Sequence, residues 1–341
     1  MSTYPDLTPP SATPDAWQEP VSGWANPLEP APVVPFAPPV PALPQSPEPA
    51  PSVVFDPGPP LTETEPPPLG PTGRPLPHIP EPQPLEQHGP ARVLAVCNQK
   101  GGVGKTTSAI NLGAALTEYG RRVLLVDFDP QGALSVGLGV QPHELDLTVY
   151  DVIARAVPIE DAVIKTNVRG MDLLPSNIDL SAAELQLVNE VAREQTLARA
   201  LAPALAGYDI VLIDCQPSLG LLTVNALTAA HGVIVPLECE FFALRGVALL
   251  METIQKVQER LNSELRLEGI LATMYDARTL HGREVLGRVV EAFGDRVFHS
   301  VIARTVKFPE TTVSGEPITT YASESVAAAS YRQLAREVLA R

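Results

Sequence analysis

A glycine-rich loop at residues 98–107, Asn-Gln-Lys-Gly-Gly-Val-Gly-Lys-Thr-Thr, constrains the fold of this chain more than any other stretch. An apolar run at 93–97 precedes the loop, and apolar residues at helical spacing follow it from Ile110 onward. A loop of this kind between a strand and a helix turns successive backbone N–H groups inward and places them at a helix N-terminus, where anions bind. The sequence therefore predicts a phosphate-binding loop.

The residues of this loop fit the phosphates of a nucleotide together with a metal ion. Lys105 would reach the β- and γ-phosphates, and the hydroxyl of Thr106 would be a ligand of Mg²⁺. The standard motif has glycine at position 99, whereas this chain has Gln99 there and a second lysine, Lys100, beside it. We expect seven residues to contact ATP, namely Gly101, Gly102, Val103, Gly104, Lys105, Thr106 and Thr107.

From residue 91 onward, apolar runs alternate with helical patterns, and no internal repeat is evident. The apolar runs predict strands at 93–97, 122–127, 171–174, 209–214, 232–237, 267–274 and 296–302. The helical patterns predict helices at 105–119, 148–155, 181–205, 219–230, 243–262, 280–293 and 324–340, with a loop at 128–142. Near-continuous apolar strands between helices predict an α/β fold, a mostly parallel twisted sheet with helices on both faces.

Three aspartates lie at the predicted carboxyl ends of strands. Asp127 and Asp129 close the second strand, and Asp214 closes the third long apolar run. The carboxyl ends of parallel strands share one edge of the sheet, where open α/β sheets bind ligands. A single aspartate there is commonly a turn or cap residue. Three at the edge that carries the glycine-rich loop indicate metal-dependent phosphoryl transfer.

Composition divides the chain near residue 90. Residues 1–90 contain 29 of the 38 prolines, ten acidic residues and one basic residue, Arg74, so their net charge is 1 − 10 = −9. Proline at this density excludes helix interiors, and sparse hydrophobic residues cannot offset the entropy of ordering. We interpret 1–90 as a disordered, acidic, proline-rich arm and 91–341 as the globular domain. Aromatic islands such as Trp17 and Trp24 leave open whether the arm is a passive tail or docks an unknown ligand.

Other features of the sequence indicate a cytoplasmic protein. No apolar run reaches the ~18–20 residues needed to span a bilayer, and the acidic N-terminus is unlike a secretory signal. Three cysteines, Cys97, Cys215 and Cys239, lie in or beside predicted buried strands without the spacing of a metal site. This placement is typical of buried reduced thiols.

The loop at 98–107, with Lys100, resembles the deviant Walker A motif of the ParA/MinD class of P-loop ATPases. The resemblance covers about 91–341. Further motifs are similar to the chromosomal ParA (Soj-like) branch: Val-Asp-Phe-Asp-Pro-Gln-Gly at 126–132, Ile-Asp-Cys-Gln-Pro-Ser at 213–218, Thr-Met-Tyr-Asp-Ala-Arg-Thr at 273–279 and Tyr-Arg-Gln-Leu-Ala at 331–335. The stretch Phe-Pro-Glu-Thr-Thr-Val at 308–313 resembles the actinobacterial form.

The resemblance implies a slow, partner-stimulated ATPase with ATP and Mg²⁺ as cofactors. Asp129 would orient the hydrolytic water, and Asp214 would hold Mg²⁺ through water. Lys100 would reach across a two-fold interface to the partner's ATP phosphates, which links ATP binding to formation of a homodimer. The implied metal site consists of Thr106, Asp127 and Asp214. The implied catalytic residues are Lys100, Lys105 and Asp129.

DNA binding is implied by the resemblance and must be weighed against the net charge. Binding phosphates requires local Lys and Arg, yet 91–341 carries 23 − 29 = −6. Within 278–307, six basic residues accompany three acidic ones. Arg278 and Lys307 match positions that Soj-like proteins use for sequence-independent binding of double-stranded DNA. Arg304 lies in the same basic stretch and completes the expected DNA-binding set.

The resemblance thus implies a nucleoid-associated switch in chromosome or plasmid partitioning. It would dimerise with ATP, bind DNA nonspecifically and be released when a ParB-like partner stimulates hydrolysis. The alternative is a MinD-like ATPase that associates with a membrane or scaffold and regulates division or the cell pole. A metal-cluster carrier of the same superfamily would need paired exposed cysteines, which this sequence lacks.

Two stretches depart from the family pattern. The usual Asp-x-Pro-Pro is Asp-Cys-Gln-Pro here, with Gln216 in place of proline. The commoner Pro-Arg-Asn, which contacts the base in relatives, is Ala-Arg-Thr at 303–305. The sequence therefore does not assign the residues of the adenine pocket. The closing helical pattern at 324–340 has only a modest apolar stripe. We expect this stripe to pack on the domain and not on a membrane.

Overall fold

The computed structural model describes residues 68–240 and 243–341, and it contains an eight-stranded sheet. The strands are β1 Arg92–Val96, β2 Val123–Phe128, β3 Ile164–Lys165, β4 Met171–Leu174, β5 Ile210–Cys215, β6 Gly232–Glu238, β7 Arg266–Tyr275 and β8 Val297–Ala303. Their order is β3-β4-β2-β5-β1-β6-β7-β8. Only β3, at the edge, runs antiparallel to its neighbour among these strands. The predicted α/β fold with a mostly parallel sheet is confirmed.

Helices connect the strands. They are α1 Lys105–Glu118, α2 Ala133–Gly137, α3 Val149–Ala154, α4 Ile159–Ala162, α5 Leu180–Leu187, α6 Thr196–Leu201, α7 Leu221–Ala229, α8 Ala243–Arg260, α9 Leu280–Phe293, α10 Lys307–Ser314, α11 Ile318–Tyr321 and α12 Val326–Ala340. Among the described residues, no helix is long and apolar enough to cross a membrane.

The helices cover both faces of the sheet because the strands are apolar on both sides. Alternate residues of β1 belong to different apolar clusters, with Val93 and Ala95 in one and Leu94 and Val96 in the other. Helices α3, α5, α6, α7, α8 and α9 contribute to the first cluster, and α1, α2, α11 and α12 contribute to the second. The central strands are therefore packed on both faces. This packing fixes the position of the sheet edge from which the glycine-rich loop projects.

Two of the predicted elements differ in the structure. The predicted loop at 128–142 contains α2. The predicted single helix at 181–205 is broken after α5, because Ala192 adopts a left-handed conformation with φ of 53°. Past that break the chain continues as a 3-10 turn, α6 and a second 3-10 stretch that begins at Ala202. Four elements, β3, α4, α10 and α11, have no counterpart in the prediction; β3, α4 and α11 are too short to show periodicity.

Residues 68–90, which we call the strap, pack against the domain. Arg74 donates a hydrogen bond to the carbonyl of Gly294 at 2.9 Å, and Gly89 N–H donates to the carboxylate of Asp209 at 2.9 Å. His88 Nδ1 lies 2.8 Å from the other oxygen of Asp209. The expected disorder of 1–90 therefore does not hold for the strap. Residues 1–67 of the predicted arm lie outside the described residues, and the boundary at residue 90 stays a prediction.

The closing helix, α12, packs on the domain as expected. Its stripe of Tyr331, Leu334 and Val338 is buried beside α1 and β8. Glu337 is also buried, and its carboxylate accepts hydrogen bonds from the backbone N–H groups of His299 and Ser300 at 2.7 Å each. The apolar stripe of α12 is thus part of the core.

Candidate nucleotide site

The glycine-rich loop leaves the carboxyl end of β1, in the middle of the sheet, and leads into α1. Gly102 and Gly104 have φ angles of 74° and 85°, a conformation that residues with a Cβ rarely adopt. Gly104 is the N-cap of α1 and supplies no side-chain hydrogen bond to it. The first N–H groups of α1 are therefore oriented toward the space in front of the loop, as an anion site requires.

Lys105 and Thr106 begin α1 and reach in different directions. Lys105 is 7% exposed, and its Nζ donates a hydrogen bond to the carbonyl of Lys100 at 3.1 Å. The hydroxyl of Thr106 donates to Oδ2 of Asp214 at 2.6 Å. The other oxygen of Asp214, Oδ1, is buried and has no hydrogen-bond partner among the described residues. A buried carboxylate oxygen without a partner beside a threonine hydroxyl fits the oxygen ligands that Mg²⁺ prefers.

Asp127 and Asp214 are neighbours in the register of β2 and β5. Burial raises the pKa of Asp127 to about 6, against hydrogen bonds from Ser135 that lower it. Burial also raises the pKa of Asp214 well above its ordinary value, and the charge of Asp127 raises it further. Two buried carboxylates so close together are costly when both are charged, and a bound cation would remove that cost.

Asp129 follows β2 and is half-buried at the same edge of the sheet. Its carboxylate accepts a hydrogen bond from the N–H of Gln131 at 3.0 Å. Both oxygens of Asp127 are already occupied, because Oδ2 accepts from Ser135 Oγ at 2.7 Å and Oδ1 accepts from Asp129 N–H at 3.4 Å. Asp127 therefore ties the turn at Asp129 and the start of α2 to β2, and its role as a metal ligand stays a prediction.

Lys100 forms ion pairs within its own chain. Its Nζ lies 2.9 Å from Glu238 and 2.6 Å from Glu240, at the end of β6. The hydrogen bond that Lys100 donates to Glu240 is the main cause of the raised pKa of Lys100, with burial opposing it and Glu238 adding to it. The side chain of Lys100 is 44% exposed, so it remains accessible from outside the chain. The two glutamates were not predicted, although an acidic pair at a strand end is the same signal that identified the aspartates.

A cavity of about 310 Å³ opens beside the loop, next to Gly104 and Thr107. Its walls include Met274, Arg304 and Phe308. Arg304 also forms an ion pair with Glu238 at 3.1 Å. The structure thus places Arg304, predicted to contact DNA, in the wall of a cavity that is large enough for a nucleoside and adjoins the phosphate loop.

The other two predicted DNA-binding residues lie at the surface. Arg278 is 89% exposed and forms two hydrogen bonds with the carboxylate of Asp276, at 2.9 and 2.8 Å. These bonds hold the pKa of Asp276 at about 2. Lys307 is exposed at the first position of α10. The pairing with Asp276, which neutralises Arg278 locally, was not predicted.

A phosphate loop at a helix N-terminus, with acidic residues on the neighbouring strands, defines a P-loop ATPase. Comparisons with known proteins agree. A family model described as an AAA domain matches residues 91–267. The chromosome-partitioning ATPase Soj of Treponema pallidum is 49% identical over 250 residues, which cover 73% of this chain and 98% of Soj. The chain therefore belongs to the Soj/ParA family of chromosome-partitioning ATPases.

Two further matches bear on the strap and on the ligand. An uncharacterized protein of Mycobacterium tuberculosis is 66% identical over 274 residues, 80% of this chain and 86% of that protein. Because 91–341 contains only 251 residues, this match includes part of the strap. A solved structure of cobyrinic acid a,c-diamide synthase from Mycobacterium smegmatis holds an ATP analogue and magnesium. It is 47% identical, has a TM-score of 0.65, and the match covers 73% of this chain and 94% of that one.

Proposed function

We propose that this ATPase is a nucleotide-dependent switch that dimerises with ATP and binds DNA nonspecifically. The observation that carries the nucleotide part is the pairing of Thr106 with Asp214, whose second oxygen is buried without a partner among the described residues. Mg²⁺ bound there would supply positive charge that offsets the charge of the phosphates. Thr106 and Asp214 would hold the ion, directly and through water respectively.

The loop would bind the triphosphate with its backbone N–H groups and the α1 N-terminus. Lys105 would leave the carbonyl of Lys100 and bind the β- and γ-phosphates. Asp129, half-exposed at the end of β2, would accept a hydrogen bond from the attacking water and hold it in line. The cavity walled by Arg304 and Phe308 supports a proposal that these two residues flank the base and ribose.

Dimerisation would engage Lys100 with the ATP of a second copy. The ammonium group now neutralises Glu238 and Glu240, and it would exchange these carboxylates for the phosphates across the interface. Because this exchange needs ATP, dimerisation would follow the nucleotide state. A ParB-like protein would then stimulate hydrolysis and reset the switch.

Exposed Arg278 and Lys307 would contact DNA phosphates. Because Asp276 neutralises Arg278 in part, binding would be weak until a dimer doubles the surface, and it would be sensitive to salt. Nucleoid association follows from this proposal. The MinD-like alternative needs an exposed apolar stripe on the closing helix, and α12 buries its stripe. The cluster-carrier alternative needs exposed cysteines, and Cys97, Cys215 and Cys239 are buried.

The test is co-sedimentation with double-stranded DNA of the wild type and Arg278→Glu, with ATP and with ADP, at low and moderate salt. We expect salt-sensitive binding with ATP, weaker binding with ADP, and loss of binding in the variant. Glu284→Ala, at an exposed acidic residue of α9, serves as the control for surface changes. Absence of binding in every nucleotide state would refute the DNA part of the proposal.

A further inference from the structure

The segment 216–220 lies between Asp214 and α7, and it borders the phosphate loop. A Cβ built on Gly101 would be 3.9 Å from Cβ of Pro217, so the two residues are in near contact. Lys105 Nζ reaches the carbonyl of Lys100, at this same end of the loop. Because Lys105 is expected to bind the terminal phosphates and its amine lies against the carbonyl of Lys100, next to Gly101, Pro217 borders the part of the loop where we expect the γ-phosphate.

The far side of this segment rests on Glu184 of α5. Oε1 of Glu184 accepts hydrogen bonds from Gln216 Nε2 and from the N–H of Leu222, both at 3.3 Å. Leu222 lies in the first turn of α7, whose N-cap, Gly220, supplies no side-chain hydrogen bond. A Cβ on Gly220 would be 2.5 Å from Oε1 of Glu184, so glycine is needed for the carboxylate to approach. Glu184 therefore caps α7 from another helix, where a negative charge is favourable.

Gln216 adds a contact that the usual family pattern, Asp-x-Pro-Pro, does not offer. Proline, the usual residue at this position in the family, has no side-chain donor and could not bond to Glu184. The glutamine therefore adds a link between the segment after Asp214 and α5. Within the described residues, the segment then contacts α5 on one side and the phosphate loop on the other.

We propose that Glu184 is a positioning residue which, through Gln216 and the N-terminus of α7, holds segment 216–220 against the γ-phosphate end of the loop. The consequence is selectivity for ATP over ADP, because ADP does not extend to that end. This inference rests on the nucleotide site proposed above. None of the site residues named above belongs to α5. Glu184 of α5 would therefore affect the choice between ATP and ADP from outside the site.

The experiment measures the Kd of a non-hydrolysable ATP analogue and of ADP, each with Mg²⁺, by titration calorimetry. For Glu184→Ala we expect the Kd of the analogue to rise about tenfold and that of ADP less than about twofold, since a hydrogen bond to a charged group is lost. Gln216→Ala should show a smaller rise of about threefold. The double variant should be no weaker than Glu184→Ala, because both changes remove one linked arrangement.

The controls separate this inference from the site itself. Glu190→Ala, at an exposed glutamate shortly after α5, should bind both nucleotides as the wild type does. Glu184→Gln keeps an oxygen for Leu222 N–H and tests the role if Glu184→Ala fails to fold. Equal weakening of both nucleotides, or no weakening in any folded variant, would overturn the inference. Normal nucleotide binding by Lys105→Ala would instead refute the proposed site.

Discussion

Asp127 and Asp214 determine the electrostatic character of the site at the scale of single residues. They lie opposite each other on β2 and β5, both are buried, and burial raises the pKa of each. A folded-state pKa above the unfolded value means that the folded protein holds the proton more tightly. The metal-free site therefore favours protonated carboxylates, and this preference can be measured.

The change to test is Asp127→Asn in metal-free buffer. Because the pKa of Asp127 rises from 3.8 to about 6, its contribution to stability is most favourable below the unfolded pKa and is lost as the pH rises through about 6. We expect the wild type to gain up to roughly 3 kcal/mol relative to the variant between pH 7 and pH 4. Thermal unfolding across this range measures the difference. Asp161→Asn, at an exposed position, is the control, and a difference that does not vary with pH would contradict the prediction.

A second change at this scale concerns the ion pairs of Lys100. Glu240 is about half-exposed, and exposed ion pairs contribute roughly 0–1 kcal/mol. Glu240→Gln should therefore release Lys100 partly and lower the ATP concentration for half-maximal dimerisation by up to about fivefold. Light scattering coupled to size-exclusion chromatography follows this titration. Lys100→Ala should bind ATP but stay monomeric; dimerisation of that variant with ATP would show that the lysine is dispensable.

The strap is the main ordered segment that was not predicted, and Asp209 is its main anchor. Burial would raise the pKa of Asp209, but the N–H groups of Arg122 and Gly89 and the side chain of His88 lower it overall. Asp209→Ala removes all three bonds, and we expect it to lower the free energy of unfolding by roughly 2–3 kcal/mol. Denaturant unfolding measures this loss. His88→Ala should cost less, and His78→Ala, at an exposed histidine of the same strap, should stay within about 0.5 kcal/mol.

The elements that could be predicted are those with long periodic patterns. The central strands, α1, α9 and α12 were predicted within a few residues, because burial on one or both faces imposes a regular spacing. The break at Ala192 was missed because a left-handed alanine leaves no mark in composition. The strap was missed because its order depends on contacts with Asp209 and Gly294, more than a hundred residues away in the chain.

The same limit applies to the site. The loop and the three aspartates follow from strand ends and spacing, so their meeting at one edge was predictable. The pairing of Lys100 with Glu238 and Glu240 depends on β6 lying next to β1, which local patterns do not reveal. The pairing of Glu184 with Gln216 likewise requires the positions of α5 and α7 in space.

At the scale of the whole molecule, the strap and the nucleotide site occupy opposite edges of the sheet. The strap contacts residues at the starts of β5 and β8, whereas the loop and the aspartates lie at the carboxyl ends of β1, β2 and β5. Since these strands are parallel, their starts and ends lie on opposite sides of the domain. The strap therefore lies on the side of the domain away from the proposed dimer and DNA surfaces.

This separation predicts different effects for two truncations. Removal of 1–67 should leave ATP turnover unchanged, because it keeps the strap with its hydrogen bonds to Asp209 and Gly294 and every candidate site residue. Removal of 1–90 should lower the unfolding temperature by several degrees, since it deletes the hydrogen bonds to Asp209 and Gly294, roughly 2–3 kcal/mol in total. Turnover per folded molecule at low temperature should persist, because every candidate site residue lies beyond position 90. Steady-state ATPase assays alongside calorimetry distinguish these effects, and loss of turnover in a folded 91–341 protein would show that the strap acts on the site across the sheet.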